Sequence, residues 1–450
     1  MSVIRQGLES ADLDVPVVLP TLNLDFANSQ SLDRRITFTR GSTATRVNRN
    51  GLIETVGVNQ PRFDFDPISG ECKGLLIEES RTNYWRGTQT GGGSGTVSDG
   101  TATGADGVTA KKFVTTLGSA AFPGLSNYTQ YSIPVGSQVT GGTVDISFSG
   151  YFAATGTGLY VPDIVIAIGA SGSNYIFAEL LPDLTNGNIV SKSLSAGLSE
   201  IIAPQITLMP FGMYKVTWSV RYTQGATIRN TVNFGIQCRR KNSPSGATGT
   251  YYADGVNGFQ FSCIQYEIGA VPTSYIPTTT SSVTRSVDNA EMTGINFSSW
   301  YNQSEGTFFY NGTLPFITND TVTRVPFGVS NGFNFSNSMY VAKTPTTLGL
   351  SFTVINNNVS QTTGTSLPNM TSSKFKIASS VAPNNIYSCG YGGVVNKHSR
   401  PSAAIPTATR LTLGKEPWNG SALNPIIGCI SKFAYYPKAL SPAELQYLIQ

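Results

Sequence analysis

The sequence predicts an all-β protein built from antiparallel sheets, and three observations carry that expectation. Apolar and polar residues alternate along residues 143–148, with Val144, Ile146 and Phe148 on one face and Asp145 and Ser147 on the other. The same period of two runs through residues 214–222, where Tyr214, Val216, Trp218, Val220 and Tyr222 oppose Lys215, Thr217, Ser219 and Arg221. One apolar face and one wet face mark antiparallel sheets packed as a sandwich. Asn-Gly pairs recur at 50–51, 186–187 and 257–258, and Asn-Gly tolerates the positive φ angles of tight hairpins. No amphipathic helix of useful length interrupts residues 108–288.

Composition narrows the class. A chain of 450 residues holds two or three domains. Only 12% of residues are charged, about half of the roughly 25% usual in soluble domains. Gly 47, with abundant Ser, Thr and Asn, fills the gap. The surface is therefore wetted by hydroxyls and amides, as in extracellular β-proteins and viral appendages. A formal charge of +4, without a long basic run, argues against nucleic acid. Cys72, Cys238, Cys263, Cys389 and Cys429 are odd in number and contain no CxxC pair. That excludes a disulfide framework and a zinc site, and fits free thiols in a protein assembled in a reducing cytoplasm. The first twenty residues lack the apolar core of a secretory signal, and no run is long enough to insert into a membrane as a helix.

In order, the chain divides into an N-terminal arm, 1–20, and a small β unit that links or anchors, 21–86. A Gly-rich linker, 87–107, precedes a first sandwich, 108–290, and a second, 291–450. In the β unit, runs at 36–40 and 52–56 flank a Thr/Arg/Asn segment ending in Asn50-Gly51, and residues 74–78 form a compact apolar strand. In the second sandwich Leu348, Leu350, Phe352 and Val354 alternate with small polar residues. Ser441, Pro442 and Glu444 have the spacing of an N-cap, a first helical residue and a capping box. They predict a helix over 442–449, with Leu445 and Leu448 packed on the sandwich.

Four stretches resemble known families. The motifs ITFTR-STAT (Ile36 to Thr45), NG (Asn50-Gly51), PRFDFD (Pro61 to Asp66) and GLLIEESRTN (Gly74 to Asn83) resemble a segment recurrent in tailed-phage virion proteins. There it precedes carbohydrate-binding β-sandwiches. Gly41 stands where the pattern expects Ala. Gln265, Glu267, Gly269, Thr273 to Thr278, Thr284 and Arg285 resemble the closing strand and exit of jelly-roll carbohydrate-binding modules, with Tyr266 in place of Leu. GTFFYNG, residues 306–312, and the ending from Ile427 to Gln450 resemble laminin-G or concanavalin-like domains. The resemblance thus implies a jelly roll followed by a laminin-G/concanavalin-like sandwich.

Catalytic chemistry is sparse. The single histidine, His398, reads as a polar-loop residue. Gly328-Val-Ser330-Asn-Gly332 fits G-x-S-x-G in letters, but that motif needs a strand-to-helix elbow, and a hairpin turn is the plainer reading. Asp64 and Asp66 share a strand face next to Pro67, while Glu78 and Glu79 point apart; a glycosidase pair is weighed there and set below a structural reading. Asp254, Glu267 and Asp288 are candidates for a structural calcium ion, with plain surface acids as the alternative. Trp418, Asn419 and Tyr391 lie in turns and are candidates for glycan contact through ring stacking, with partial burial on the sandwich as the alternative.

The expectation is a virion protein without enzymatic activity. It is a tail-fibre, tail-associated or head-fibre component that attaches to host-surface glycans. Other virion proteins meet its N-terminal region, and the chain forms a homotrimer. It is assembled in the bacterial cytoplasm and resides in the virion. A capsular polysaccharide depolymerase and a purely structural decoration protein are the alternatives.

Overall fold

The computed structural model describes residues 18–86, 95–115, 124–125, 131–169, 175–241, 256–316, 322–343, 349–362, 370, 372–383, 385–389, 393–399, 404–418 and 425–450. Four large antiparallel sheets pair into two sandwiches, and only three short helices accompany them among those residues.

In the first sandwich one six-stranded sheet runs Leu198–Leu208, Tyr214–Thr223, Thr143–Ala154, Gly258–Ile268, Thr109–Thr115, Gly95–Thr103. The facing sheet is built on Thr231–Arg240, Tyr160–Gly169, Tyr175–Pro182 and Ile189–Leu194. Val144, Ile146, Phe148, Val216, Trp218 and Val220 all point into the core, as the alternation requires. Tyr266 and Phe234 stack at 4.8 Å and join the two layers. The opposite face of 214–223 differs from expectation. Thr217 and Ser219 are buried, because this face turns toward the second sandwich, where Ile202, Ala270, Val271 and Ile427 form a small apolar cluster.

The second sandwich pairs an eight-stranded sheet with a seven-stranded one. Gly306–Thr313 and Gly428–Tyr436 lie at the centre of the first; Arg324–Ser330, Ser338–Lys343 and Leu350–Asn356 lie in the second. The helix Pro442–Ile449 has the expected capping box: Ser441 N–H donates to Glu444 Oε2 at 2.7 Å, and Ser441 Oγ accepts from Glu444 N–H. Leu445 is buried beneath it, and Leu448 packs on the same cluster.

Residues 21–86 do not stand as a separate β unit. Leu22–Asp25 and Cys72–Ile77 both pair with Gly428–Tyr436, Arg62–Phe65 extends that edge, and Thr37–Thr39 pairs with Asn289–Thr293 in the opposite sheet. The reason is burial. Strands of three to six residues are too short to enclose a core of their own. Leu22, Leu24, Phe63, Leu75 and Ile77 instead bury themselves in the core of the second sandwich. The first sandwich is thus an insertion within the second. The chain leaves through Arg81–Asn83 and returns through Val283–Arg285, and these two strands pair with each other. The stretch read as a Gly-rich linker is in part a strand, Gly95–Thr103, paired with Thr109–Thr115; residues 87–94 are outside the described residues.

Two turns show the local logic. Ala44–Val47, a strand the sequence did not suggest, pairs with Ile53–Val56 around Asn50-Gly51. Gly51 has φ 79°, and Asn48 Oδ1 accepts from the N–H groups of Asn50 and Leu52 at 2.9 and 3.1 Å. Gly74 has φ 108°, and a Cβ there would overlap the Ile430 carbonyl. Gly74→Ala is therefore expected to lower the melting temperature clearly, as backbone strain of about 1–3 kcal/mol is added in the middle of a paired strand. Thermal unfolding of the variant checks this.

Candidate binding site

The residues of the recognised motifs converge on one buried junction between the sandwiches. Arg62, fully buried, donates to Glu78 Oε2 at 2.8 Å, to Ser274 Oγ at 2.8 Å and to the Thr45 carbonyl at 2.9 Å, and pairs with Asp288. Arg40 reaches Asp288 Oδ1 at 3.1 Å. Arg285 reaches Glu78 Oε2 at 2.9 Å and Thr273 Oγ1 at 3.1 Å. Glu78 also accepts from Ser274 N–H at 2.7 Å. Asn83 donates to the carbonyls of Ile264 and Ile276, and Gln265 accepts from Ile276 N–H at 2.6 Å. The motif is thus a clasp: its charged residues hold entry and exit strands together where the inserted sandwich joins.

Two of the three calcium candidates belong to this clasp. Asp288 has its oxygens on Arg40, Arg62 and the Glu78 N–H at 2.9 Å. Glu267 accepts from Thr273 N–H at 2.8 Å and Thr273 Oγ1 at 2.5 Å; burial pushes its pKa up, against Arg81 and Thr273. A divalent cation has no favourable place beside two guanidiniums, and among the described residues no cluster of three His, Cys, Asp or Glu side chains exists. Asp254 lies outside the described residues. Sequence spacing could not show that Asp288 is taken by Arg40 and Arg62, or Glu267 by Thr273.

The clasp has a pH signature. Burial opposes ionisation of Glu78, but Arg285 and Arg62 hold its pKa down at about 2. A depressed carboxyl pKa contributes stability that is present above the unfolded value, about 4.3, and is lost as pH falls toward the folded one. Melting temperature should therefore drop between about pH 4.3 and pH 2, and Glu78→Gln should flatten that slope while lowering stability at neutral pH.

The exposed candidate lies on the outer face of the seven-stranded sheet. Trp418 is partly buried, as one of its two readings required, with its ring edge-on to Tyr340 at 4.5 Å and to Phe335 at 5.0 Å. Phe335 is 46% exposed and Phe333 63%. The Arg410 guanidinium sits 3.9 Å above the Phe333 ring. The strand-end loop that carries Trp418 is fixed on the sheet. Ser330 Oγ donates to the Pro417 carbonyl at 3.0 Å, and Thr412 Oγ1 to that of Lys415 at 2.9 Å. Gly328 makes this possible, since a Cβ there would come 2.6 Å from Pro417 Cγ. Beneath the loop, burial pulls the Lys415 pKa down to about 8, with Glu291 opposing. The indole N–H of Trp418 has no hydrogen-bond partner among the described residues. Arg410 itself is buried and paired with Glu291, so the result is a small cluster of rings, a platform with the indole donor at its rim. Phe333 and Phe335, in the Asn/Ser-rich segment after Gly332, were missed from the sequence. The signal was two aromatics two residues apart in a segment too polar to be core.

The other candidates divide plainly. Asn419 and Tyr391 lie outside the described residues. The backbone of His398 is in strand Val395–Ser399, at the edge of the eight-stranded sheet, rather than in a loop. Ser330 ends a strand and is followed by a turn, not a helix, with its hydroxyl between the carbonyls of Gly332 and Pro417. Asp64 pairs with Lys73 at 2.5 Å, and Asp66 accepts the N–H groups of Ile68 and Ser69. Four cysteines, Cys72, Cys238, Cys263 and Cys429, are free thiols.

A cleft of about 330 Å³ lies between the sandwiches, beside the clasp. Lys215, Tyr151, Thr207 and Thr217 line it from the first sandwich, and Asp64 and Lys73 from the second.

No family model and no curated protein matches the chain. Among solved structures, the carbohydrate-binding module CBM40 of the Ruminococcus gnavus IT-sialidase aligns at 14% identity and TM-score 0.28, covering 34% of this chain and 88% of that one. Mouse laminin alpha1 domains LG4-5 align at 9% and TM-score 0.23, covering 71% and 91%. A GH43 protein of Bacillus licheniformis, BlXynB, aligns at 9% and TM-score 0.20, covering 91% and 100%. Likeness at this level defines neither a family nor a ligand. The class rests on the chain's own sheets: an all-β protein of two nested antiparallel sandwiches.

Proposed function

We propose that the chain is a virion appendage protein of a tailed phage, and that it attaches to host-surface glycans without cleaving them. The observation that carries the glycan reading is the surface ring cluster of Trp418, Tyr340 and Phe335, with Phe335 46% exposed and the Trp418 indole N–H at its edge. Sugar rings present an apolar face to such rings and hydroxyls to donors around them. The virion assignment is supported by the motifs of residues 36–83 and by a charge-poor surface rich in Ser, Thr and Asn. The non-catalytic reading is supported by the engagement of every acid weighed for hydrolysis: Glu78 in the clasp, Glu79 with Arg81 and Arg324, Asp64 with Lys73, Asp66 in a turn.

Binding of the purified full chain to immobilised host polysaccharide tests the reading, with wild type retained and Trp418→Ala lost. Retention by both overturns the platform as the site, and release of reducing ends overturns the non-catalytic assignment. A cryo-EM map of the particle tests the virion role, with the chain expected on an outer appendage. The same proposal includes a homotrimer, since closed cyclic assembly gives several weak sites one orientation. Sedimentation at micromolar concentration should give three times the chain mass, and a stable monomer overturns that part.

A further inference from the structure

The cleft between the sandwiches contains an ammonium with no direct anionic partner among the described residues: burial and Lys73 oppose the Lys215 charge, and Asp64, which favours it, is already held by Lys73. Lys215 projects from strand Tyr214–Thr223, opposite Tyr151 and Thr207, and its Nζ lies 5.9 Å from the Tyr151 ring centroid. It has no ion pair or hydrogen bond among the described residues. Its neighbours differ. Lys73 across the cleft is held by Asp64 at 2.5 Å, Arg221 on the same strand by Asp145 at 2.6 Å, and Lys192 by Glu200 at 2.8 Å. Cations are otherwise paired around this face, so a partly buried, unpaired ammonium is the exception that calls for an anion.

The rest of the lining describes what else that anion carries. Gln205, Thr207 and Thr217 border the cleft, and none of their side chains has a hydrogen-bond partner among the described residues. Met209 and Tyr151 supply apolar surface between them. One unpaired cation matches one negative charge. Unused amide and hydroxyl groups match several hydroxyls. A volume of about 330 Å³ lies at the small end of ligand pockets, which begin near 300 Å³, and so suits one or two sugar rings.

We infer that this cleft binds a carboxylate-bearing sugar, with the carboxylate at Lys215 Nζ, hydroxyls on Gln205, Thr207 and Thr217, and the ring against Met209 and Tyr151. The site is separate from the Trp418 platform and does not depend on it.

The test is a titration of the full chain, followed by calorimetry, with glucuronate and N-acetylneuraminate as acidic probes, glucose as the neutral probe and acetate as the bare anion. At least one acidic sugar is expected to bind at least tenfold more tightly than glucose and than acetate. Lys215→Met should abolish that preference, Lys215→Arg should keep it, and Trp418→Ala should leave it unchanged. Lys215→Met should fold and melt no lower than wild type, because it removes an uncompensated charge. Equal binding of glucose overturns the inference, as does acetate binding as well as the sugars, or acidic-sugar binding that survives Lys215→Met. Loss of acidic-sugar binding in Trp418→Ala also overturns it, by assigning the ligand to the platform.

Discussion

Arg62→Met is expected to destabilise the protein by about 3–5 kcal/mol, the usual cost of removing one partner from a buried ion network. Arg62 is fully buried and touches both carboxylates of the clasp, Glu78 and Asp288. Methionine fills much of the volume but leaves Glu78 to Arg285 alone and Asp288 to Arg40 alone, so each buried carboxylate loses a charge-assisted partner in a dry site. Arg35→Ala is the control. Its ion pair with Asp33, at 2.8 Å, is partly exposed, and pairs of that kind contribute about 0–1 kcal/mol. Chemical denaturation of both variants decides the matter. If Arg62→Met loses no more than Arg35→Ala, the network is incidental, and the junction is held by the apolar cluster of Ile202, Val271 and Ile427. The loss should also appear in both sandwiches, since the first is threaded into the second at this point.

That arrangement explains what the sequence could and could not reveal. Period-two alternation exposed the core stripes of Val144–Ile146–Phe148 and Val216–Trp218–Val220, because side-chain direction in a strand is a local property. Ser441, Pro442 and Glu444 exposed the terminal helix for the same reason: a cap is satisfied within four residues. Nesting is not local. Nothing in Leu22, Leu24 or Leu75 says that their partner strand is Gly428–Tyr436, more than three hundred residues on. A short apolar strand reads the same whether it closes its own unit or completes a distant sheet. The motif was legible as a recurrent string, but its role was not, because Arg40, Arg62, Glu78 and Asp288 acquire meaning only when the return strand brings Asp288 and Ser274 beside them. The wet face expected for Lys215, Thr217 and Ser219 failed for the same reason, since a second sandwich covers it. Trp418 was legible as a candidate because an aromatic flanked by Pro, Asn and Gly has little core to enter. Its companions Tyr340 and Phe335 come from other parts of the sheet and were not.

On the proposed role of a trimer that attaches to host glycans, Trp418→Ala is expected to reduce attachment to host cells about a hundredfold while leaving folding nearly intact. The ring is partly exposed, and its ring contacts are Tyr340 and Phe335 on the surface, apart from the core of the second sandwich. Its removal should shift melting by no more than about 3 °C. Binding responds differently. A shallow platform holds a single sugar near millimolar, or about −4 kcal/mol, of which the stacked ring supplies about 1 kcal/mol. One site would then lose only a few-fold. Three sites engaged together lose that factor at each, and the product is the hundredfold change. Monovalent glycan binding and whole-cell attachment should therefore be measured side by side. A few-fold loss in the first with a far larger loss in the second supports both the platform and its multivalent use. Equal losses in the two assays sink the multivalent account, and no loss in either sinks the platform. His398→Ala, on an edge strand of the opposite sheet, should leave both assays unchanged.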